Sequence, residues 1–508
     1  MILEGKKPQK VFKYFEELCS IPHGSGNTKK ISDYLVSFAR VRGFQYIQDE
    51  HDNVVIYKEA TAGYEHSPVV ILQGHIDMVC EKTAETDIDF KNEGLRLKCD
   101  GNVIYAEGTT LGGDDGIAVA YMLAILDSED IEHPALECVF TSDEEIGLLG
   151  ANALDCSVLR GRLLLNIDSE EEGKLLTSCA GGVTAFCSVP VQYDNLQFAN
   201  GVSDEGKAYC LTVEGVTGGH SGVCIDKQGA NAVMLLGRVL YSLFEDNDIG
   251  LIYIWGGNKD NAIPRSAYAH LLFRESSYDG MEAIENKLSK LESILRREYR
   301  HTDKAISISL KPVNFVDRVC YTEDGDSAPA CVMTKTSSEK VLAALAGFPN
   351  GVMKYSMDIQ GLVQTSLNLG ILKTNISDNS CVDCSFSVRS SVGTEKEELI
   401  SRMKCLMKCL GGNVAVSGDY PAWEYRENSK LRDIMVSCYE MLYGEKPELI
   451  AVHAGLECGI FAGKLEGLDC VSFGPNIENI HTTEEKLYID SVYRTWEYII
   501  MVLKNIKS

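Results

Sequence analysis

The sequence predicts an α/β protein: a first domain built on a mainly parallel sheet, interrupted by a smaller, duplicated α+β domain. Three observations carry this reading. Helical and strand-like patterns alternate through the first 185 residues, and such alternation implies a mainly parallel sheet with helices on both faces. The texture changes after about residue 185 and returns to helix–strand–helix from about residue 420, as when one domain is inserted into another. Within the insertion, one set of landmarks recurs after about 115 residues.

Each element follows from its apolar spacing. Val11 to Leu18 and Ile31 to Ala39 read as amphipathic helices, and Val69 to Leu72, Leu136 to Phe140 and Leu163 to Ile167 as short buried strands. Ile117 to Leu126 is apolar on every side, which suits a buried helix. In the insertion, residues 208–216 alternate as a strand and Ala230 to Phe244 reads as a helix; two strands and a charged helix, Met281 to Tyr299, follow. The tail offers Leu431 to Leu442, Cys470 to Phe473 and Tyr493 to Leu503. The expected domains are therefore 1–185 with 420–508, and 186–419 between them. The repeat inside the insertion rests on spacing: Asn261 stands 13 positions before Arg274, and Asn375 stands 14 before Arg389, each Arg leading toward a helix.

Composition narrows the function classes. The chain has 508 residues, with 48 Lys and Arg against 74 Asp and Glu, a formal charge of −26. Nucleic acids and anionic membranes call for clustered basic residues, so neither is an expected partner. No apolar h-region follows the first lysines and no run approaches a membrane span, so a cytoplasmic protein is expected. The 18 cysteines are scattered through apolar segments and read as free thiols. Cys381 and Cys384 form a Cys-x-x-Cys without a second pair nearby, so no structural zinc is expected there.

Five acidic or histidine motifs follow apolar strands or sit at strand–helix junctions: Gly74-His75-Ile76-Asp77, Leu111-Gly112-Gly113-Asp114-Asp115, Thr141-Ser142-Asp143-Glu144-Glu145, Asn166-Ile167-Asp168 and Ile480-His481. Open parallel sheets bind ligands at the carboxyl ends of their strands. Imidazole and carboxylate donors suit zinc and its relatives, and a bridging carboxylate lets two ions share one site. Asp77 could take the second ring proton of His75. Tandem glutamates could divide metal binding from proton transfer. Singly, each motif has an ordinary reading as surface, turn or helix cap. Together they repeatedly terminate buried strands, which those readings do not explain.

With these motifs in hand, the chain resembles the co-catalytic metallopeptidases related to aminoacylase and carboxypeptidase G. Gly218-Gly219-His220-Ser221-Gly222 and Gly474-Pro475 followed by His481 add to the match. Within that group it is similar to the aminoacyl-histidine (Xaa-His) dipeptidases, through His453-Ala454-Gly455-Leu456-Glu457 and Asn261-Ala262-Ile263-Pro264-Arg265. The resemblance implies a zinc-peptidase-like catalytic domain with an inserted lid. It implies one metal held by His75, Asp114 and Asp168 and another by Asp114, Glu145 and His481, with Asp114 bridging. Glu144 would be the general base and Asp77 would orient His75. His220 would reach the scissile carbonyl oxygen, and Asn261 and Arg389 would contact substrate. His453 would lie near the cleft with Glu457. The peptide bond after Asp114 would be cis. The expected cofactors are two divalent metal ions, zinc first, with cobalt or manganese as alternatives. The expected substrates are unblocked dipeptides; whether the chain forms a homodimer stays open. A deacylase of N-acyl amino acids and a non-catalytic peptide-binding homologue are the rival readings. The other histidines, His23, His51, His66, His133, His270 and His301, are expected at the surface or in loops.

Overall fold

Three apolar runs, each too short for a helix and each followed by a polar motif, pair side by side at the centre of a sheet. In the computed structural model, Val70–His75 lies parallel to Leu136–Thr141 on one side and to Leu163–Asn166 on the other. The structure describes residues 2–195, 198–199, 202–203, 206–274, 280–313, 319–321, 327–329, 331–376 and 379–507. The chain divides into two compact units, Met1–Cys179 with Pro421–Ser508, and Ala180–Tyr420.

The first unit carries an eight-stranded sheet in the order Gln45–Gln48, Val54–Lys58, Leu136–Thr141, Val70–His75, Leu163–Asn166, Asp469–Ser472, Lys174–Cys179 and Glu448–Val452. Its centre is parallel, and the hairpin at one edge joins antiparallel. Both faces of the central strands are buried, as parallel strands require. The helix Gly113–Leu126 is buried along its length apart from Asp114, which follows from its apolar composition all round. Lys58 closes its far end, donating from Nζ to the carbonyls of Ile125, Leu126 and Ser128 at 2.8, 3.1 and 2.6 Å. Gly74 permits the close approach of this helix to the central strand. A Cβ there would fall 2.5 Å from Asp115 Oδ2 and 2.7 Å from the Ala118 methyl.

Among the described residues the second unit is an antiparallel sheet backed by the helices Ala232–Asp246, Met281–Glu298, Lys335–Gly347 and Gly393–Leu410. Its strand order is Ser307–Pro312, Lys207–Glu214, Ala267–Phe273, Ile249–Gly256, Val363–Asn375, Cys381–Ser390, Gly181–Pro190 and Asn413–Tyr420, with Gly351–Tyr355 beside Val363–Asn375. Read outward from the junction between Ile249–Gly256 and Val363–Asn375, the strands of both halves come in the same sequence, second, third, first and fourth of a βαββαβ unit, with Gly351–Tyr355 added to one of them. The unit is therefore doubled, but not in tandem. Gly181–Pro190, the opening strand of the second copy, precedes the whole first copy in sequence. A search for a simple period sees only the later elements. The copies are locked by reciprocal amides. Asn231 Nδ2 donates to Asn368 Oδ1 and the Leu369 carbonyl at 3.1 and 2.9 Å, and Asn368 Nδ2 donates to the carbonyls of Asp260 and Ala262 at 3.2 and 2.9 Å. Cys381 and Cys384 are three apart on one strand, so they leave on opposite faces, with Cys384 in the core. Glu275, Ser276 and Ser277, which lead from Arg274 toward a helix, lie outside the described residues.

Candidate metal centre

The strand ends of the first unit deliver the acidic motifs to one place. His75 is the last residue of the central strand and 1% exposed. Its Nδ1 lies 3.0 Å from the Asp77 carbonyl and 3.5 Å from Asp77 Oδ1. That pairing places the ring proton on Nδ1 and aims Nε2 at Asp114 Oδ1, 3.1 Å away, with Asp168 Oδ1 at 3.6 Å. Asp168 stands just past the neighbouring strand Leu163–Asn166.

Asp114 enters from the start of the buried helix, after Gly112 in the left-handed region at φ 66° and through a cis bond to Asp115. Its two oxygens face two histidines: Oδ1 meets His75, and Oδ2 lies 3.2 Å from His481 Nε2. His481, itself at φ 62°, also lies 2.7 Å from Glu145 Oε1. Two donor groups thus meet at one carboxylate, His75 with Asp168 on one side and His481 with Glu145 on the other. Donor atoms of His75, Asp114 and Glu145 lie within 4.8 Å of one another, as do those of His75, Asp115 and Asp168.

Asp77 does more than orient His75. Its Oδ1 accepts the N–H of Glu144 at 2.9 Å and its Oδ2 accepts the N–H of Glu145 at 3.3 Å and the Ser25 hydroxyl at 2.8 Å. One buried carboxylate therefore fixes His75 and the turn bearing both glutamates.

The charges at this site call for a cation. Burial holds Asp168 well above the usual carboxylate range, with Asp115 adding to the push. Burial likewise pushes Glu144 up to about 8, reinforced by Glu457, Glu145 and Asp114. Asp114 and Glu145 push His481 up to about 10. In the protein alone the imidazoles supply the positive charge that these carboxylates require. A site of imidazole and carboxylate donors around one shared carboxylate fits two divalent ions.

The second unit assembles its own polar group. Gly219–His220 pairs with Ala262–Ile263, and Ser221 N–H donates to the Asn261 carbonyl at 2.8 Å, so His220 is held beside Asn261. The His220 ring is exposed, and its Nδ1 accepts the N–H groups of Gly222 and Val223 at 3.1 and 3.3 Å. Nε2 therefore carries the proton and is the donor. Partial desolvation and the Arg389 charge hold His220 below its usual range. Arg389 Nη1 donates to the Tyr420 hydroxyl at 3.0 Å, while its buried Nε has no partner.

The sequence and its fold have counterparts. A sequence model of peptidase family M20/M25/M40 matches residues 71–505. The chain belongs to that family. It is 34% identical over 507 residues to a cytosol non-specific dipeptidase of Escherichia coli, covering 100% of this chain and 99% of that one. It also matches the crystal structure of an aminoacylhistidine dipeptidase from Vibrio alginolyticus at 33% identity and a TM-score of 0.90, covering 100% and 98% of the two chains. An aminopeptidase from Bacillus cereus shares the fold at 15% identity and a TM-score of 0.58, with 99% of each chain covered.

In this M20 peptidase a buried polar network lies around the centre, and its member Gln73 belongs to no motif. Gln73 is a polar residue inside an apolar strand, while Thr141 and Asn166 close two others. Gln73 Nε2 donates to Glu457 Oε2 at 2.5 Å, Thr141 Oγ1 to the same oxygen at 2.7 Å, and Asn166 Nδ2 to Gln73 Oε1 at 2.6 Å. Glu457 is fully buried, and burial pushes it up to about 7. A polar side chain in a strand buried on both faces needs a partner, and that signal was available in Val70-Ile71-Leu72-Gln73. His453 is buried just upstream, between Glu448–Val452 and the helix Glu457–Lys464. The expectation of surface or loop positions for the remaining histidines needs correction at His270, which is buried in the strand Ala267–Phe273. His23 and His133 lie in loops as expected, but are buried there. His23 Nδ1 pairs with the Ile21 carbonyl at 2.6 Å, and His133 Nδ1 with that of Pro134 at 2.7 Å.

Proposed function

We propose that this M20 peptidase is a metal-dependent dipeptidase hydrolysing unblocked dipeptides, Xaa-His among them, at a centre of two divalent ions. The observation that carries this reading is Asp114, whose oxygens face His75 and His481 at 3.1 and 3.2 Å, each histidine backed by a further carboxylate. His75, Asp114 and Asp168 would hold one ion, and Asp114, Glu145 and His481 the other. Zinc suits these donors best, with cobalt or manganese as alternatives. When bound, two such ions polarise a carbonyl and acidify water.

The chain's own residues do the rest. Glu144 takes the proton from the attacking water and passes it to the leaving amine. Asp77 keeps the two glutamates in register and His75 in one tautomer. His220 offers Nε2–H to the developing oxyanion, a contribution of about 3 kcal/mol for one donor. Arg389 pairs with the substrate's free carboxylate, and Asn261 and His453 line the substrate. The names of the Escherichia coli and Vibrio alginolyticus relatives support the dipeptidase assignment and, for the former, a cytosolic location. No helix among the described residues is long and apolar enough to cross a membrane.

The test is a panel of free dipeptides, N-acetylated dipeptides, C-terminal amides and tripeptides, run beside metal analysis. Free dipeptides should be cleaved with about two metal ions per chain. Faster cleavage of the acetylated compounds would move the assignment to a deacylase.

A further inference from the structure

We infer that Glu485 is a positioning residue that ties the loop of Asp114 to the loop of His481 and so sets the geometry of both ligands. The inference rests on the metal centre proposed above. Glu485 is 3% exposed, and its carboxylate sits in a cradle of backbone N–H groups. Oε2 accepts from Leu111 at 2.6 Å and Gly112 at 3.1 Å, and Oε1 from Gly113 at 2.8 Å and Asp114 at 3.4 Å. These four consecutive donors belong to the segment that leads into the buried helix and carries Asp114, so one carboxylate collects the N–H groups of the whole turn. An ordinary cap comes from the residue before the helix. Here Gly112 holds that position and offers no side-chain cap, and the acceptor comes from far along the chain.

The donor loop is as informative as the cap. Glu485 lies four residues after His481, in a turn closed by Glu485 N–H to the Thr482 carbonyl at 3.3 Å and Thr482 Oγ1 to the Asn479 carbonyl at 2.7 Å. His481 holds a left-handed φ of 62° within that turn. Moving Glu485 therefore moves two things together, the backbone of Asp114 and the turn of His481. Those side chains meet at 3.2 Å. A shift of an ångström would spoil a shared coordination site while leaving the core below it packed.

The test compares Glu485→Gln with Glu137→Gln. Glu137 is another fully buried carboxylate of the same unit, accepting the N–H groups of Arg160 and Gly161 at 3.0 Å at the opposite ends of the strands. Zinc ions alone are the probe, titrated against a chromophoric chelator, with melting of the metal-free proteins and kcat and KM for a dipeptide measured in parallel. Glu485→Gln should weaken at least one zinc equivalent by about 10–100-fold, the loss typical when a ligand's support is removed. It should lower kcat more than it raises KM, with partial recovery in excess zinc. Glu137→Gln should melt earlier yet bind both equivalents as the parent does. Glu485→Asp keeps the charge with a shorter reach, and should fall between parent and Gln if the latter folds poorly. Parent-like zinc binding and kcat in Glu485→Gln, or equal zinc loss in Glu137→Gln, would overturn the inference. A parent protein that takes up no zinc would overturn the metal reading itself, and the inference with it.

Discussion

Glu144 and Glu145 are neighbours held by one carboxylate, yet their surroundings separate them. Glu145 reaches His481 at 2.7 Å, whereas Glu144 is pushed up by burial and surrounded by like charge. Glu144→Gln should keep both metals and the fold but lose on the order of 10²–10⁴ in kcat, the range of general acid–base catalysis. Glu145→Gln should instead lose affinity for one metal and recover partly in excess metal. Metal content per chain beside kcat checks both, and the opposite pattern would exchange their roles. His270 offers a test away from the centre. Burial holds it down to about 4, so it is neutral when folded. Between that value and its ordinary 6.5 the unfolded chain binds the extra proton, so stability falls as pH drops through this window, by roughly 3 kcal/mol in all. His270→Phe should flatten that acid limb in melting temperature against pH. The motif residues at His75, Glu144, Glu145 and Asp168 were legible because they stand where apolar strands end, and Asp114 because it stands where an apolar helix begins. Buried His270 was not, because its partners come from other strands: Trp255 packs edge-on against its ring at 5.1 Å between centroids.

At the scale of elements, three strand ends are cross-linked by Gln73, Thr141, Asn166 and Glu457. Removing one member strands the others, since each unpaired buried polar group costs about 1–3 kcal/mol. Gln73→Leu leaves the Asn166 amide and a Glu457 oxygen short of a partner, and should cost roughly 3 kcal/mol in urea unfolding. The double variant Gln73→Leu with Glu457→Leu should cost less than the sum of the singles; full additivity would mean the hydrogen bonds carry no coupling. The central strands and the buried helix could be read from the chain, because burial on all sides leaves an unbroken apolar record. The strands Gln45–Gln48, Lys174–Cys179 and Glu448–Val452 could not. The first and last lie at the sheet's edges, where mixed exposure weakens the pattern. Lys174–Cys179 is buried but ends in Thr177, Ser178 and Cys179, so no apolar run marks it.

At the scale of the molecule, the second unit is two copies fused into one sheet, joined where Trp255 pairs with Lys373 and Gly256 with Leu372. Recurrence was visible in the sequence; nesting was not, because an opening strand displaced ahead of its copy leaves no periodic trace. The fusion has a functional consequence. His220 and Asn261 belong to the first copy and Arg389 to the second, yet they are brought together within one chain, close enough for the Arg389 charge to act on His220. Asn368 of the second copy holds the backbone on either side of Asn261. A second chain is therefore not needed to combine these groups. Mixing His220→Ala protein with Asp114→Asn protein tests this directly. If each chain supplies its own His220, every chain in the mixture lacks either the oxyanion donor or the shared ligand, and the rate should equal the sum of the two residual rates at any mixing ratio. Exchange between subunits would instead generate sites with a parental His220 and a parental Asp114. Recovery to a sizeable fraction of the parent rate after co-refolding would show that a partner supplies His220, and that the doubled sheet does not make the chain self-sufficient.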